Sequence, residues 1–474
     1  MPKYSKTLAL EWGGVEKVCS LQSSLDKLYP SLVECQKQLT TGVGKGADFL
    51  GWFDPQMALA QNIYQEQIRE ITKSILSYTN AAVVVGIGGS LLGTKAVYEA
   101  LTHSFAPLLK QEEREKALLF WAGHHLASDE LSELITILDH YSPALIVVSK
   151  SGGTTEPALT FRILKQYFEQ RYSSQEIKKR IIVITDPQDG ILLKIAQENQ
   201  YQTLPIPKNI GGRYSVFSAV GILPLHLAGI HTDHLLRGAQ KAYQDMVLAS
   251  EQPSLSKHPA FCYAGIRYLL YKQGYKIESL CTWSPKLRAV AQWWQQLFGE
   301  SDGKEGIGLF PTHTHFTTDL HSMGQYFQQG ERHLFASHLC IDQEEENVII
   351  PPSSLNDGFE FLAGKSLFEV QQQAQKGTFL AHADGKLPTL VWYLPKLSEF
   401  WLGYWLYTNM LACGLGGYLL KINPFDQPGV EEYKKNMFAL LGKQGYQEEA
   451  EKIHQKNSCF PVLVSQSPEY KEML

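Results

Sequence analysis

The chain has 474 residues, of which 44% are hydrophobic and 19% are charged, and its formal net charge is -5. This composition is typical of a globular protein, and the length exceeds one ordinary hydrophobic core, so we expect two domains or more. The charged residues form no basic stripe, which argues against nucleic-acid binding and still allows a small anionic substrate.

The cysteines and the N-terminal residues indicate in which cellular compartment the protein is expected. The seven cysteines are scattered and contain no Cys-x-x-Cys pair, which argues against a disulfide framework and a zinc-finger pattern. We therefore expect reduced thiols in a cytoplasmic protein. The N-terminal apolar run is too short for a signal peptide.

Residues 1–80 are expected to be mostly helical, with amphipathic runs near 21–39 and 57–78. The sequence assigns them no function. From residue 81, apolar strands alternate with turns and helices, which indicates a parallel sheet covered by helices. The strands predicted for this first unit are 81–85, 118–121, 144–148 and 181–184.

A second unit of the same kind follows. Its predicted strands are 278–283, 334–341 and 389–394, and apolar residues at helical spacing predict a helix over 287–298. Gly299 is placed to end that helix as its C-terminal glycine, so Glu300 is expected to follow directly after the end of the helix. A helix-rich end follows from Leu397.

Residues 400–420 contain no charged side chain and are long enough to span a bilayer. They also contain Gly403, Gly414, Gly416 and Gly417, and no basic cluster flanks them. We interpret this segment as a buried helix of a large domain and expect no membrane span.

Residues 86–90 (Gly-Ile-Gly-Gly-Ser) lie between a strand and a helix. Glycines there allow close backbone approach, and the helix N-terminus offers free N–H groups to a phosphate. A dinucleotide loop is the alternative, and it fits poorly because the third glycine of G-x-G-x-x-G would fall on Leu91. Strand 118–121 also ends at Gly123-His124-His125, without the acid that would hold a ribose.

Residues 149–157 (Ser-Lys-Ser-Gly-Gly-Thr-Thr-Glu-Pro) form a second turn of this kind. Hydroxyl and amide donors can surround a phosphate dianion. Ordinary helix capping is the alternative, but it needs one hydroxyl or two, and this turn has four. Two such turns after neighbouring strands predict one phosphate bound from both sides.

Two further motifs carry ionisable groups beside glycines. Arg213 follows Gly211-Gly212 just before an apolar helix predicted over 216–230, so it can form a surface salt bridge or face an anionic intermediate. Residues 299–330 hold Glu300, three histidines and Asp319. This pattern suits either chemistry or a long solvated loop.

These motifs together resemble the glucose-6-phosphate isomerase (phosphoglucose isomerase) family, in its shorter bacterial branch. The resemblance spans residues 50–440 and rests on six motifs in the family's order: 86–90, 149–156, 211–215, 299–304, 317–321 (Thr-x-x-x-His) and 423–434 (Asn-Pro-Phe-Asp-Gln-Pro-Gly-Val-Glu-Glu-Tyr-Lys). Gly153 departs from the pattern, since relatives are expected to carry a hydroxyl there.

The resemblance implies an α/β fold with two sugar-isomerase (SIS) domains, each an αβα sandwich with a mainly parallel sheet, plus a helical C-terminal arm. The implied divisions are 1–74, an N-terminal helical segment packing on the large domain; 75–230, the first and smaller SIS domain; 231–440, the second and larger one; and 441–474, a C-terminal tail. It also implies a homodimer with shared active sites, no metal and no organic cofactor.

The implied reaction interconverts glucose 6-phosphate and fructose 6-phosphate through ring opening and a cis-enediolate, as in glycolysis and gluconeogenesis. By resemblance, Glu300 is the base that moves the proton between C2 and C1, and Arg213 stabilises the anionic enediolate. His321, contributed by the partner chain, opens the ring with help from Lys434. Gln427 matches a substrate-contacting position, and the residues matching the phosphate site are Gly89, Ser90, Ser149, Lys150, Ser151 and Thr154.

Two alternatives remain from the sequence. His313 and His315 would share one face of an extended segment near Asp319 and His321, as in a zinc or iron site. SIS domains also occur in regulators that bind sugar phosphates without catalysis. The joint presence of Glu300, His321 and Lys434 counts against a regulator, since a binder does not require them.

Overall fold

The computed structural model of the chain describes residues 6–54, 62–114, 116–250 and 258–457. The chain divides into two compact units, residues 1–425 and 426–474. The strands are β1 (Ala9–Glu11), β2 (Ala81–Val85), β3 (Leu118–Ala122), β4 (Pro143–Val148), β5 (Ile181–Thr185), β6 (Gln202–Pro205), β7 (Ile277–Thr282), β8 (Phe310–His315), β9 (Leu334–Ile341) and β10 (Thr389–Leu394).

The described α-helices of residues 1–425 surround two sheets. They are α1 (Gly13–Cys19), α2 (Gln22–Thr41), α3 (Asn62–Leu76), α4 (Leu92–Leu101), α5 (Ser128–Leu138), α6 (Thr155–Arg171), α7 (Ser174–Arg180), α8 (Ile191–Asn199), α9 (Ala219–Leu227), α10 (Thr232–Ser250), α11 (Pro259–Lys272), α12 (Arg288–Asp302), α13 (Gly324–Gln329), α14 (Leu367–Asp384) and α15 (Glu399–Leu419). The described part of the second unit holds α16 (Glu431–Leu440) and α17 (Gln447–Asn457), which pack on each other.

The first sheet has the order β3-β2-β4-β5-β6 and is parallel throughout. Strands β2, β4 and β5 are buried along their whole length. This burial explains their continuous runs of valine, isoleucine and alanine, because helices cover both faces of a parallel sheet.

The second sheet has the order β1-β10-β9-β7-β8, with β7 to β10 parallel and β1 antiparallel at one edge. The predicted α/β class with two mainly parallel sheets is therefore confirmed. The described part of the segment before residue 80 is mostly helical, as expected, and it also contains β1, which pairs with β10.

The seven predicted strands all form, with ends within one residue of the prediction, but the sequence missed three others. Strand β1 has only three residues, and β6 and β8 carry Gln, Thr and His where the buried strands carry branched apolar residues. Their conformation depends on sheet pairing at the edges more than on their own hydrophobicity.

Helix α15 corresponds to the uncharged segment 400–420, and its residues 402–419 are all buried. It packs against α10, α11 and α12 in the core of the first unit, so the interpretation as a buried helix is confirmed. No helix in the described part of the chain has the length and hydropathy of a membrane span.

Candidate active site

The two glycine- and hydroxyl-rich turns follow β2 and β4, which are neighbours in the first sheet. Strands β3 and β4 flank β2 on opposite sides, so the strand order reverses direction between β2 and β4. The carboxyl ends of strands at such a reversal form the usual ligand crevice of an open α/β sheet. The sequence prediction that the two turns follow neighbouring strands is therefore confirmed.

The turn at 86–90 packs directly against the turn at 211–215. A Cβ on Gly89 would lie 2.0 Å from the carbonyl carbon of Gly212, so only glycine fits there. The Ser215 hydroxyl donates to the Gly89 carbonyl at 3.1 Å. This contact fixes the position from which Arg213 extends.

Arg213 is buried, with 1% of its surface exposed. Its Nε donates to Ser301 Oγ at 2.8 Å, and its two terminal nitrogens donate to Glu300 Oε2 at 3.2 Å and to the Pro424 carbonyl at 2.6 Å. Three separate acceptors hold the guanidinium in one orientation, which a lysine could not match. The reading of Arg213 as a surface salt bridge is therefore wrong.

Glu300 accepts a second hydrogen bond, from Gln296 Nε2 at 2.8 Å. Its side chain is 31% exposed, so the carboxylate is held by two donors and still faces solvent. Gln296 was missed by the sequence reasoning. Its spacing of four residues from Glu300 on one helix was the available signal.

The expectation that Gly299 ends the helix before Glu300 is wrong. Helix α12 continues through Gly299 to Asp302, which places Glu300 in its last turn. Tertiary contacts extend the helix: Ser301 is buried against Arg213, and Asp302 pairs with the buried Arg267 at 3.0 Å. These contacts outweigh the local preference of glycine for a helix end.

The turn at 149–154 presents hydroxyls that helix capping does not use up. Ser149 Oγ accepts from the Gly152 amide at 3.0 Å, and Ser151 Oγ accepts from the Gly153 amide at 3.2 Å. Among the described residues, no helix amide donates a capping hydrogen bond to the Thr154 hydroxyl, although Thr154 directly precedes α6. The surplus of hydroxyls inferred from the sequence is present in the fold.

The contacts of the Lys150 ammonium lie outside this turn. It donates to the Lys208 carbonyl at 2.6 Å and lies 5.4 Å from the centre of the Phe49 ring. Burial lowers the pKa of Lys150 from its usual value. The ammonium is therefore engaged by groups outside the turn at 149–154.

A cavity of about 940 Å³ opens beside Glu300, between α4 and α12. Its lining includes Gly88, Lys95, His124, Gln296 and His313. This volume suits a small-molecule ligand.

The histidines of 313–321 do not meet at one point. His313 and His315 lie on β8 with ring centres 5.2 Å apart, but His313 donates to Gln295 Oε1 and His315 Nδ1 is bonded to Thr282. Burial lowers the pKa of both rings, to about 4 for His315. His321 is exposed in the turn after β8, and the described residues lining the Glu300 cavity do not include it.

Two predicted site residues lie in the second unit. Lys434 is on α16 and donates to Glu431 Oε1 at 2.9 Å within that helix. Gln427 precedes the short turn Pro428–Val430.

Among the described residues, one group has a spacing that could hold a metal ion: His124, His125 and Glu130. His125 Nδ1 accepts the Ala127 amide at 3.1 Å, and its Nε2 lies 2.8 Å from Glu130 Oε2. A neutral ring that accepts at Nδ1 carries its proton on Nε2, which faces Glu130. This group therefore fits a histidine–carboxylate hydrogen bond, and His313, His315, Asp319 and His321 form no metal cluster in the described structure.

Comparison with known proteins gives a consistent result. The family model described as phosphoglucose isomerase matches residues 60–459. The glucose-6-phosphate isomerase of Clostridioides difficile (strain 630) is 43% identical over 439 residues, which cover 92% of this chain and 96% of that protein. The glucose-6-phosphate isomerase of Shouchella clausii (strain KSM-K16) is 41% identical, with 96% and 98% covered.

Solved structures show the same fold. A hypothetical protein from Thermus thermophilus matches with a TM-score of 0.80 at 26% identity, covering 90% of this chain and 98% of that one. A glucose-6-phosphate isomerase from Chlamydia trachomatis matches with a TM-score of 0.76 at 18% identity, covering 94% and 91%.

Proposed function

The chain belongs to the phosphoglucose isomerase family and interconverts glucose 6-phosphate and fructose 6-phosphate, and we propose that Glu300 is the base of this reaction. The observation that carries the assignment is the Glu300 carboxylate, which Arg213 and Gln296 hold at 3.2 and 2.8 Å beside an open cavity. A base that carries one proton between adjacent carbons must be fixed in place and accessible to substrate. Glu300 meets both requirements.

Arg213 is proposed to stabilise the enediolate. Its buried guanidinium already lies next to the base, where negative charge develops when a proton leaves C2 or C1. Because three protein acceptors fix its orientation, it needs little rearrangement during the reaction.

The phosphate group of the substrate is proposed to bind between the turns after β2 and β4. The proposed contacts are Gly89, Ser90, Ser149, Lys150, Ser151 and Thr154. The hydroxyl of Thr154 is the best-supported donor, since no described helix amide donates a capping hydrogen bond to it. Lys150 would contribute its backbone amide, because the Lys208 carbonyl holds its ammonium.

Ring opening is proposed to use His321 of a second copy, with Lys434 and Gln427 contacting the substrate. His321 is exposed and is not among the described residues that line the Glu300 cavity, which supports its contribution to a site on another chain. Val348, Phe359 and Phe361 also expose more than 60% of their surface, as expected of side chains that a partner covers. We therefore propose a homodimer with shared active sites.

The domain limits proposed from the sequence (1–74, 75–230, 231–440 and 441–474) are kept as proposals, as are a cytoplasmic location and a reaction without metal or organic cofactor. Strands β2 to β6 (residues 81–205) fall within the proposed first SIS domain and β7 to β10 (277–394) within the second, whereas β1 of the second sheet comes from the N-terminal segment. Family membership does not favour the regulator alternative.

The test is a coupled assay on chelator-treated protein, with fructose 6-phosphate as substrate and glucose 6-phosphate detected through an NADP-linked dehydrogenase. We expect rapid conversion by the wild type and a loss of several orders of magnitude in Glu300→Gln. No conversion by the wild type, with fructose 6-phosphate still raising its melting temperature, would establish a sugar-phosphate binder instead.

Mixing two inactive variants tests the shared site. In a dimer of Glu300→Gln with His321→Ala, one of the two sites combines an intact glutamate with an intact histidine. Random reassociation of equal amounts should therefore restore about a quarter of wild-type activity. If refolded mixtures stay inactive, each chain supplies its own histidine.

A further inference from the structure

A second cavity lies at the amino ends of the strands of the first sheet, and the turns after β2 and β4 lie at the opposite ends of those strands. It has a volume of about 640 Å³, and Ser77 and Lys116, which line it, precede the amino ends of β2 and β3. The catalytic turns follow the carboxyl ends of β2 and β4. A strand of five residues is about 16 Å long, so about this distance separates the cavity from the turns.

The lining of this cavity is cationic. Four of its side chains carry positive charge: Arg69, Lys73, Lys116 and Arg237. Asp233 is the acidic residue of the lining, and it lies 3.2 Å from Arg69. The positive charges come from α3, α10 and the segment before β3, so they surround the cavity instead of forming one row.

Two buried hydroxyls in the lining have no partner. Thr72 and Thr232 are 7% and 1% exposed, and their Oγ1 atoms have no hydrogen-bond partner among the described residues. A buried hydroxyl without a partner destabilises the fold, and both oxygen atoms are closed off from solvent, so a ligand in the cavity does not reach them. Thr232 also begins α10, whose N-terminus carries the positive end of the helix dipole; the amides of Thr232, His234 and Leu235 already donate to the carbonyls of Ile230 and His231.

From these features we propose that the cavity binds a small metabolite with two or more phosphate groups. The volume is that of a small-molecule site. The four cations together carry more positive charge than one phosphate dianion can neutralise. The positive end of the α10 dipole adds to the positive potential that the four cations create in the cavity. The ligand competes with Asp233 for Arg69, whose ion pair is exposed and weak.

The site is tested by titrating inorganic pyrophosphate calorimetrically into full-length protein saturated with fructose 6-phosphate. Saturation occupies the catalytic phosphate site, so pyrophosphate must bind elsewhere. Lys73→Gln combined with Arg237→Gln removes two exposed cations of the cavity and should weaken binding about tenfold or more. Isomerase activity should remain, because neither residue belongs to the catalytic machinery.

The matched control is Lys194→Gln combined with Lys376→Gln, two exposed lysines outside the cavity, and it should bind as the wild type does. The proposal would be overturned if pyrophosphate did not bind or if fructose 6-phosphate abolished its binding. It would also be overturned if both double variants weakened pyrophosphate binding equally.

Discussion

Replacing Arg267 by methionine should destabilise the fold and the end of the helix that carries Glu300. Arg267 is 3% exposed and lies between two buried carboxylates, with its nitrogens 2.5 Å from Glu278 and 3.0 Å from Asp302. Methionine keeps part of the apolar volume over the Phe298 ring, on which the guanidinium stacks at 3.8 Å. It leaves both carboxylates without their cation.

The expected loss is about 3–5 kcal/mol, the usual cost of removing one partner from a buried ion pair. Glu278 retains hydrogen bonds from Tyr263 and Ser337 at 2.6 Å. Asp302 has less support, since its Oδ1 has no partner among the described residues and burial already raises its pKa. The damage should therefore concentrate at Asp302, two residues from Glu300.

The assay is urea unfolding followed by fluorescence, with kcat measured where the variant remains folded. The matched control is Lys241→Met, which breaks the surface ion pair of Lys241 with Asp245 and should cost less than about 1 kcal/mol. We expect Arg267→Met to lose the larger stability and to lower kcat at least about tenfold. A loss no greater than that of the control would refute the role of this cluster in holding the helix end.

Three further predictions concern the site and the core. Arg213→Ala should lower kcat by about 10²–10³ with a smaller rise in KM, because it removes charge stabilisation of the enediolate; steady-state kinetics showing a change in KM alone would make Arg213 a binding residue only. Thr154→Val should raise KM about tenfold and leave kcat nearly unchanged, since it removes one donor to the phosphate; an unchanged KM would remove Thr154 from the phosphate site. Burial lowers the pKa of His258 to about 4, so the unfolded chain binds a proton near pH 6.5 that the folded protein excludes, and stability should fall as the pH drops from 6.5 towards 4. His258→Asn, which can still accept the Ala260 amide, should reduce the loss between pH 7 and 5 by about 2 kcal/mol in urea unfolding, and an unchanged pH dependence would contradict this reasoning.

The sequence predicted most reliably the parts whose conformation is set locally. Strands β2, β4 and β5 are buried on both faces, so their continuous apolar runs were sufficient evidence. The turns after β2 and β4 were predictable because glycines and hydroxyls stand directly after those strands, and the sheet order places the two turns together.

The remainder depends on contacts between distant residues. The end of α12 is set by Arg213 and Arg267, which lie 88 and 35 residues away from their partners Ser301 and Asp302. The direction of the Lys150 ammonium is likewise set by the Lys208 carbonyl, 58 residues away. Local sequence gave no signal for either contact.

The central claim is that Glu300 itself carries the proton between C2 and C1. The most direct measurement is NMR of fructose 6-phosphate incubated in D₂O with wild-type protein and with Glu300→Gln. A carboxylate that holds the proton during the enediolate stage exchanges part of it with solvent, so the wild type should place deuterium at C2 of glucose 6-phosphate and C1 of fructose 6-phosphate. Glu300→Gln should place none, while fructose 6-phosphate still raises its melting temperature; deuterium incorporation by the variant at the wild-type rate would contradict the assignment.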